Sequence, residues 1–235
     1  QVDAVALGRP GQRLDGAGQP LELRPLVDRF NALLMRVERA YAQLEGFNAD
    51  VAHELRTPLT TLIGSSELAL QRERPAAELQ DVIAENLEDL RRLAIIVNDM
   101  LFLSQADRGA SARRLPVKSL AAELGEIIEY HEAALHDRGL SAVCDGDATG
   151  AFDLSLLRRA LSNLLSNATR YATPGSTIRV RIASEGGRIR IWVENEGSPI
   201  EQEHLPCLFD RFYRVERSRR QVGASNHGLG LAIVA

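Results

Sequence analysis

Apolar residues recur every three or four positions from Leu21 to about Gln71: Leu26, Phe30, Leu33, Leu34 and Val37, then Leu44, Val51, Leu55, Leu62 and Ala69. That spacing gathers them on one side of an α-helix and predicts one long helix. Pro58 interrupts the run, and a mid-helix proline removes a backbone bond and usually kinks the helix. Arg72 to Pro75 reads as a turn, with Pro75 near the first position of a second helix from about Ala76 to Ala106. There Leu79, Ile83, Leu90, Leu93, Val97 and Met100 form a stripe close to heptad spacing, widened by Val82, Ile96, Leu101 and Leu103. Two long antiparallel helices with stripes this wide cannot bury them as an isolated pair. A dimer that forms a four-helix bundle is the economical solution.

On either side of this hairpin the pattern changes. Gln1 to Pro20 is rich in Gly and Pro and reads as a connector. Asp107 to Pro116 is polar and reads as a domain linker. Lys118 to Arg138 is helical in pattern, Leu140 to Cys144 strand-like, and Asp153 to Tyr171 helical again. Ser176 to Ala183 and Arg188 to Val193 alternate Ile or Val with Arg, as half-buried strands do. Gly186-Gly187 supplies a hairpin turn between them. Helices and an antiparallel sheet in this order predict an α+β sandwich.

Composition narrows the chemistry. The chain has 235 residues, a net charge of −4, and 45% apolar and 26% charged residues, an ordinary globular balance. The acidic excess argues against a general nucleic-acid binder. The longest aliphatic run, Leu93 to Val97, is far too short to span a bilayer. Cys144 and Cys207 have no Cys-x-x-Cys partner, so a disulfide framework or Cys-rich zinc site is not expected. The other histidines, His131, His136, His204 and His227, lack metal-ligand spacing and read as surface residues. Of 28 basic residues 27 are Arg, and the single lysine, Lys118, sits in Pro-Val-Lys-Ser-Leu with no glycine before it. A Walker-A loop and a lysine-based kinase site are thereby excluded. The chain opens without Met and ends on the apolar run Leu229 to Ala235, and it reads as part of something larger.

Candidate chemistry begins at His53. At about 100° per residue, Val51, Leu55 and Leu62 share one helix face, His53 lies on the opposite side, and Thr57 is beside it four residues on. Glu54 is at the flank. An exposed imidazole next to a carboxylate on a rigid helix suits a nucleophile: the carboxylate can fix the tautomer and accept the proton released on attack. Taken alone, the same residues are equally an ordinary surface histidine on a helix.

A second group is Leu161-Ser-Asn-Leu-Leu-Ser-Asn-Ala-Thr-Arg-Tyr171. Asn163 and Asn167 are one turn apart, and Arg170 follows three residues later. Amide oxygens suit Mg²⁺, a guanidinium suits phosphate, and Tyr171 offers a ring face. Two Asn alone would mean only a polar helix face. Next, Val193-Glu-Asn-Glu-Gly-Ser-Pro-Ile200 follows a predicted strand. Arg211, Arg214, Arg217, Arg219 and Arg220 then crowd one segment and would attract an anion. Gly223 to His227 has the short polar character of a mobile lid. Gly228-Leu229-Gly230 opens a helix, where backbone N–H groups can approach phosphate oxygens.

Phe47-Asn-Ala-Asp-Val-Ala-His-Glu-Leu-Arg-Thr-Pro-Leu-Thr-Thr61 closely resembles the phosphoacceptor box of sensor histidine kinases of two-component systems. Leu161 to Tyr171 resembles their N box, Asn195 to Pro199 their first glycine box, Leu208-Phe-Asp-Arg-Phe-Tyr-Arg214 their F box, and Gly228-Leu229-Gly230 their second glycine box. The first glycine box departs from the family in two places. Asn195 stands where Asp is usual, and Pro199 replaces a glycine. An Asn oxygen can still accept from an adenine amino group, so nucleotide binding is expected with altered affinity.

The resemblance implies phosphorylation of His53 by ATP, with Glu54 assisting and Thr57 supporting the reverse phosphatase reaction. It implies Mg²⁺ on Asn167 with Asn163 nearby, Arg170 on phosphate, Tyr171 against the base, Asn195 and Gly197 at the adenine, and Gly228, Leu229 and Gly230 at the phosphates. The fold it implies is an all-α helical hairpin, dimeric as a four-helix bundle, followed by an α+β ATP-binding sandwich of the Bergerat type. Domains are expected at 1–42 (connector and signalling helix), 43–107 (dimerisation and phosphotransfer), 108–116 (linker) and 117–235 (ATP-binding, incomplete at its end). Gln19 to Leu34 resembles the second half of a HAMP relay module. Val97 to Asp107 with the altered glycine box resembles the subgroup that senses heavy metals such as copper or silver. The expected partners are a second copy and a response-regulator aspartate, with no nucleic acid. The expected location is the cytoplasmic portion of a bacterial inner-membrane protein, with the membrane reached only through segments outside this chain. Two rivals share part of the pattern: a gyrase-type ATPase, and a pseudokinase acting as dimeric scaffold or phosphatase.

Overall fold

The computed structural model describes residues 13–14, 23–109, 111–215 and 227–235. The connector apart from residues 13 and 14, the arginines Arg217, Arg219 and Arg220, and the lid stretch up to Asn226 lie outside the described residues. The chain divides into two compact units, 1–61 and 62–235.

Helix α1 (Arg24–Leu70) runs through Pro58 as the one long helix that the spacing predicts. Proline cannot donate to the carbonyl four residues back. Around it three hydroxyls bond back along the helix: Thr57 Oγ1 donates to the His53 carbonyl (3.3 Å), Thr60 to Arg56 (2.9 Å) and Thr61 to Thr57 (3.2 Å). Val51, Leu55 and Pro58 are half-buried on one stripe. In the first unit Asn31 clasps the backbone of Leu14, accepting from its N–H (2.9 Å) and donating to its carbonyl (3.0 Å), and Arg13 pairs with Glu38 (2.6 Å).

Helix α2 (Ala76–Asp107) has Pro75 at its N-cap rather than inside the first turn. At the hairpin end Ser65 Oγ donates to Asn86 Oδ1 (2.5 Å), and Asn86 Nδ2 donates to Ser66 Oγ (3.1 Å). Only part of the expected stripe is covered. Val82, Leu93, Ile96, Met100 and Leu103 are buried or half-buried at heptad-like spacing, whereas Leu79, Ile83, Leu90, Val97 and Leu101 remain exposed. The apolar positions of α2 therefore form two seams, and one chain covers one of them.

The remainder of the second unit is the predicted α+β layer pair, with differences in detail. The expected helix at 118–138 is two helices, α3 (Leu120–Tyr130) and α4 (Glu132–Asp137), separated at His131. Strands β1 (Leu115–Val117) and β3 (Gly150–Phe152) pair antiparallel. Three residues are too few to show an alternation, so both escaped notice, and β1 begins inside the stretch read as linker. Strands β2 (Ser141–Asp145), β4 (Thr177–Glu185) and β5 (Arg188–Glu194) form the main sheet in the order β2-β4-β5. That sheet is mixed rather than antiparallel: β2 runs parallel to β4, because β3 and helix α5 (Leu154–Tyr171) intervene as a crossover connection. The β4–β5 hairpin turns through Gly186 and Gly187, both at positive φ, as expected.

The core lies between this sheet and the helices. Ile178, Val180 and Ile182 alternate inward along β4 and meet Leu120, Leu124 and Ile127 of α3 and Leu161, Leu165 and Ala168 of α5. Two acidic caps fix the helix starts. Asp147 Oδ1 accepts from the Ala121 and Ala148 amides, both under 3 Å. Asp153 caps α5 through the Ser155 and Leu156 amides, while its other oxygen accepts from the Arg113 amide (2.8 Å) and ties the linker down. These bonds hold both carboxyls below the usual carboxylate range: the Ser155 hydroxyl and Arg113 amide contribute most for Asp153, and the Ala121 amide and Ser119 hydroxyl for Asp147.

A depressed carboxyl pKa stabilises the fold above the unfolded value of about 4 and loses that contribution as pH falls below it. The thermal midpoint, followed by circular dichroism, is expected to drop below about pH 4. In an Asp147→Ala/Asp153→Ala double variant it is lower at pH 7, and the gap to wild type narrows as pH falls.

Candidate functional site

Helix α5 carries its core residues on one face and its polar candidates on the other. At about 100° per residue, Leu161, Leu165 and Ala168 centre on one direction, and Asn163, Asn167 and Arg170 lie roughly opposite. All three polar residues are half-buried. Asn163 Nδ2 donates to the Arg159 carbonyl (3.0 Å). Its Oδ1 faces Gly230, where an added Cβ would come within 3.0 Å. Helix α6 (Gly230–Val234) thus begins against Asn163, anchored by buried Leu229 and Ile233.

The two glycine segments reach the site by close backbone approach. Gly197 forms a bridge with Ala172, and the Thr173 amide donates to the Glu196 carbonyl (2.8 Å). A Cβ at Gly197 would stand 2.4 Å from the Tyr171 carbonyl oxygen. The loop bearing Asn195 is thereby held at the C-terminal end of α5, beside the exposed ring of Tyr171. Gly228, at φ +69°, lies against the backbone of Phe212, whose amide donates to the Gly228 carbonyl (2.9 Å). Phe212 itself sits at φ +60°, in the left-handed region that few large side chains adopt. So the N box, both glycine segments and the Phe-Tyr-Arg run converge around one end of α5.

The electrostatics of this end are cationic. Burial pushes the Arg170 pKa down. Tyr171 opposes that shift, while Arg214 and Arg138 add to it. The Arg170 guanidinium stands 5.9 Å from the centroid of the Tyr171 ring. Arg138 was missed by sequence reasoning: it lies some thirty residues before Arg170, and no local spacing connects the two. The chemistry of the donor set fits a Mg²⁺-bound nucleotide. Two amide groups sit side by side, a half-buried guanidinium follows, and a glycine leaves open the space that a Cβ would fill.

On α1, His53 and Thr57 are exposed and Glu54 is half-buried, while Val51 and Leu55 face inward, as the helix arithmetic required. Thr57 spends its hydroxyl proton on the His53 carbonyl rather than on the ring. Three of the other histidines depart from the expected surface role, His227 among them, being half-buried. His131 is half-buried, with burial pushing its pKa down, and His204 is half-buried with Nδ1 2.7 Å from the Tyr213 hydroxyl. Glu201, Glu203 and His204 bring ligand atoms within 4.8 Å of one another, but the acidic pair is exposed. Among the described residues no helix is long and apolar enough to cross a membrane.

Comparison with known proteins agrees with this geometry. Residues 43–109 match the His Kinase A (phospho-acceptor) domain, and residues 152–235 match the histidine kinase-, DNA gyrase B- and HSP90-like ATPase family. Together the two matches take in more than half of the chain. The chain is 48% identical over 223 residues to the sensor histidine kinase CusS of Escherichia coli K12, covering 94% of this chain and 46% of that protein. It is 40% identical over 234 residues to the sensor protein CzcS of Cupriavidus metallidurans, covering 100% of this chain and 49% of that protein. It spans about half the length of these curated relatives. Among solved structures, histidine kinase ThkA in complex with the response regulator protein TrrA superimposes with a TM-score of 0.61 at 22% identity, covering 75% of this chain and 53% of that one, and shares the fold. With a phospho-acceptor helix ahead of an ATPase layer, and with CusS and CzcS as relatives, the chain belongs to the sensor histidine kinases.

Proposed function

We propose that this chain binds Mg-ATP at the end of α5, transfers the γ-phosphoryl group to His53, and passes it on to an aspartate of a response regulator. The observation that carries the reading is the convergence on α5: Asn163, Asn167 and Arg170 share one half-buried face, closed by the Gly197 loop on one side and Gly228 to Gly230 on the other. Arg170 binds a phosphate in fork geometry, and the α6 backbone amides approach phosphate oxygens. Asn195 accepts from the adenine amino group beside Tyr171. Mg²⁺ held by the Asn167 amide oxygen would neutralise phosphate charge during transfer. No lysine is required at such a site.

In the transfer, the lone pair of one His53 ring nitrogen forms the N–P bond as the bond from the γ-phosphorus to the ADP oxygen breaks. The proton on the opposite nitrogen leaves toward the Glu54 carboxylate, which keeps the ring basic during attack. Arg170 and the glycine amides stabilise charge on the phosphoryl oxygens. Thr57 serves the reverse, hydrolytic reaction. A regulator partner is supported by the ThkA–TrrA complex, whose fold this chain shares. A homodimer is supported by the exposed second seam of α2, Leu79, Ile83, Leu90 and Val97, which a second copy would cover in a four-helix bundle. Within the longer protein these residues would form the cytoplasmic part of a membrane-anchored sensor, with residues 19–34 relaying the signal.

The Asn195 and Pro199 departures favour a second reading, a dimeric scaffold or phosphatase that has lost ATP binding. Incubation with γ-labelled Mg-ATP separates the two. Acid-labile label on wild type that falls to background in His53→Gln supports the kinase, and wild type that neither binds nucleotide nor acquires label supports the scaffold. Arg170→Ala is expected to weaken ATP binding by about 1.5–3 kcal/mol, read by calorimetry, as loss of a charged hydrogen bond does. Gly197→Ala drives a Cβ into the Tyr171 carbonyl, so it is expected to displace the Asn195 loop and weaken nucleotide binding at unchanged His53 chemistry. Lys118→Ala, remote in sequence from every motif, is expected to keep wild-type autophosphorylation.

A further inference from the structure

Two arginines of the ATP-binding layer reach the last three turns of α2. Arg159, near the start of α5, donates from Nη2 to Asp99 Oδ1 (2.6 Å) and to the Asn98 carbonyl (3.1 Å), and its guanidinium carbon lies 4.1 Å from the centroid of the Phe102 ring. Arg211, in the Phe-Asp-Arg-Phe run, donates from Nη2 to both carboxylate oxygens of Asp107 (2.7 and 2.9 Å). The first contact is the drier one: the Asp99 side chain is 17% exposed, against 56% for Asp107. Asp107 is the last residue of α2, where the helix passes into the linker, and helix α6 of the ATP-binding layer also packs against α2.

Both anchors adjoin the proposed nucleotide site. Arg159 lies one turn before Asn163 on the same face of α5, and its carbonyl accepts from Asn163 Nδ2. Arg211 directly precedes Phe212, whose amide is bonded to the Gly228 carbonyl. The carboxylate of Asp107 therefore neutralises a guanidinium at the rim of a site whose expected ligand is a polyanion.

We propose that Arg159 and Arg211 form a two-point latch that docks the ATP-binding layer on the end of α2, and that nucleotide phosphates compete with Asp107 for Arg211, so that nucleotide binding opens the latch. This rests on the nucleotide reading of the α5 site. Linkage makes the effect reciprocal: if nucleotide weakens docking, docking weakens nucleotide affinity by the same factor. A closed latch lowers the apparent affinity by the fraction of molecules that are open. Each contact is a partly exposed ion pair, so breaking either one is expected to change affinity by a few-fold and to do so most at low salt.

The test is calorimetric binding of a non-hydrolysable ATP analogue with Mg²⁺ to the full chain, together with limited proteolysis of residues 108–114, between α2 and β1. Asp107→Asn and Asp99→Asn are both nearly isosteric, and thermal melts check that they fold. Each is expected to tighten analogue binding about two- to fivefold at low salt, with the difference shrinking at high salt, and to speed linker cleavage. Adding the analogue to wild type is expected to speed cleavage in the same way. Wild-type binding that is unchanged in both folded variants, with unchanged cleavage, overturns the latch alone. Absence of analogue binding to wild type overturns the nucleotide reading and the competition with it.

Discussion

The second unit depends on helix α5 being two-sided. One face, Leu161, Leu165 and Ala168, is buried against β4 and α3, where apolar area removed from water contributes about 25 cal/mol per Å². The opposite face carries Arg159, Asn163, Asn167 and Arg170. Because the apolar face is fixed by the core, the rotation of the helix is fixed too, and the polar side chains are aimed without having to hold themselves in place. Asp153 sets the helix start and Ala172, bridged to Gly197, sets its end. A core substitution on this helix would disturb the site by rotating it rather than by touching it.

The helical hairpin is built on a different principle. Its apolar positions on α2 fall into two seams a few residues apart, and a single chain covers only the one through Ile96 and Leu103. The other seam is too regular to be incidental surface. Exposed apolar residues scattered singly need no explanation, whereas a helical row of them is the surface on which the proposed second copy would pack. The ATP-binding layer, by contrast, closes a core of its own. The ion pairs from Arg159 and Arg211, together with the packing of α6 on α2, join these two kinds of structure.

Much of this was legible in the chain. The two long helices, the turn before Pro75, the hairpin through Gly186 and Gly187, and α5 all follow from periods and punctuation that short-range physics enforces. The exposed position of His53 followed from helix arithmetic alone. What escaped was non-local. Strands β1 and β3 are three residues each and exist because they pair with one another. The parallel pairing of β2 with β4 is set by the intervening crossover, not by the residues of either strand. The long helix expected across Pro58 is continuous, because a proline costs one backbone bond, which a helix of 47 residues absorbs.

The sequence by itself determined the elements and the inventory of reactive groups: a histidine on the outer side of a helix, amides and an arginine at one-turn spacing, glycines where backbones must approach, and a single lysine outside every motif. These are consequences of local geometry, in which each residue's neighbours are within a turn or two. Only the tertiary structure decided that Gly197 meets the Tyr171 carbonyl, that Gly228 lies against Phe212, that Arg138 adds its charge near Arg170, and that Arg211 pairs with Asp107 104 residues away. Those partners are brought together by burial of a shared core, and no pattern within a single element encodes which distant residue a folded neighbour will present.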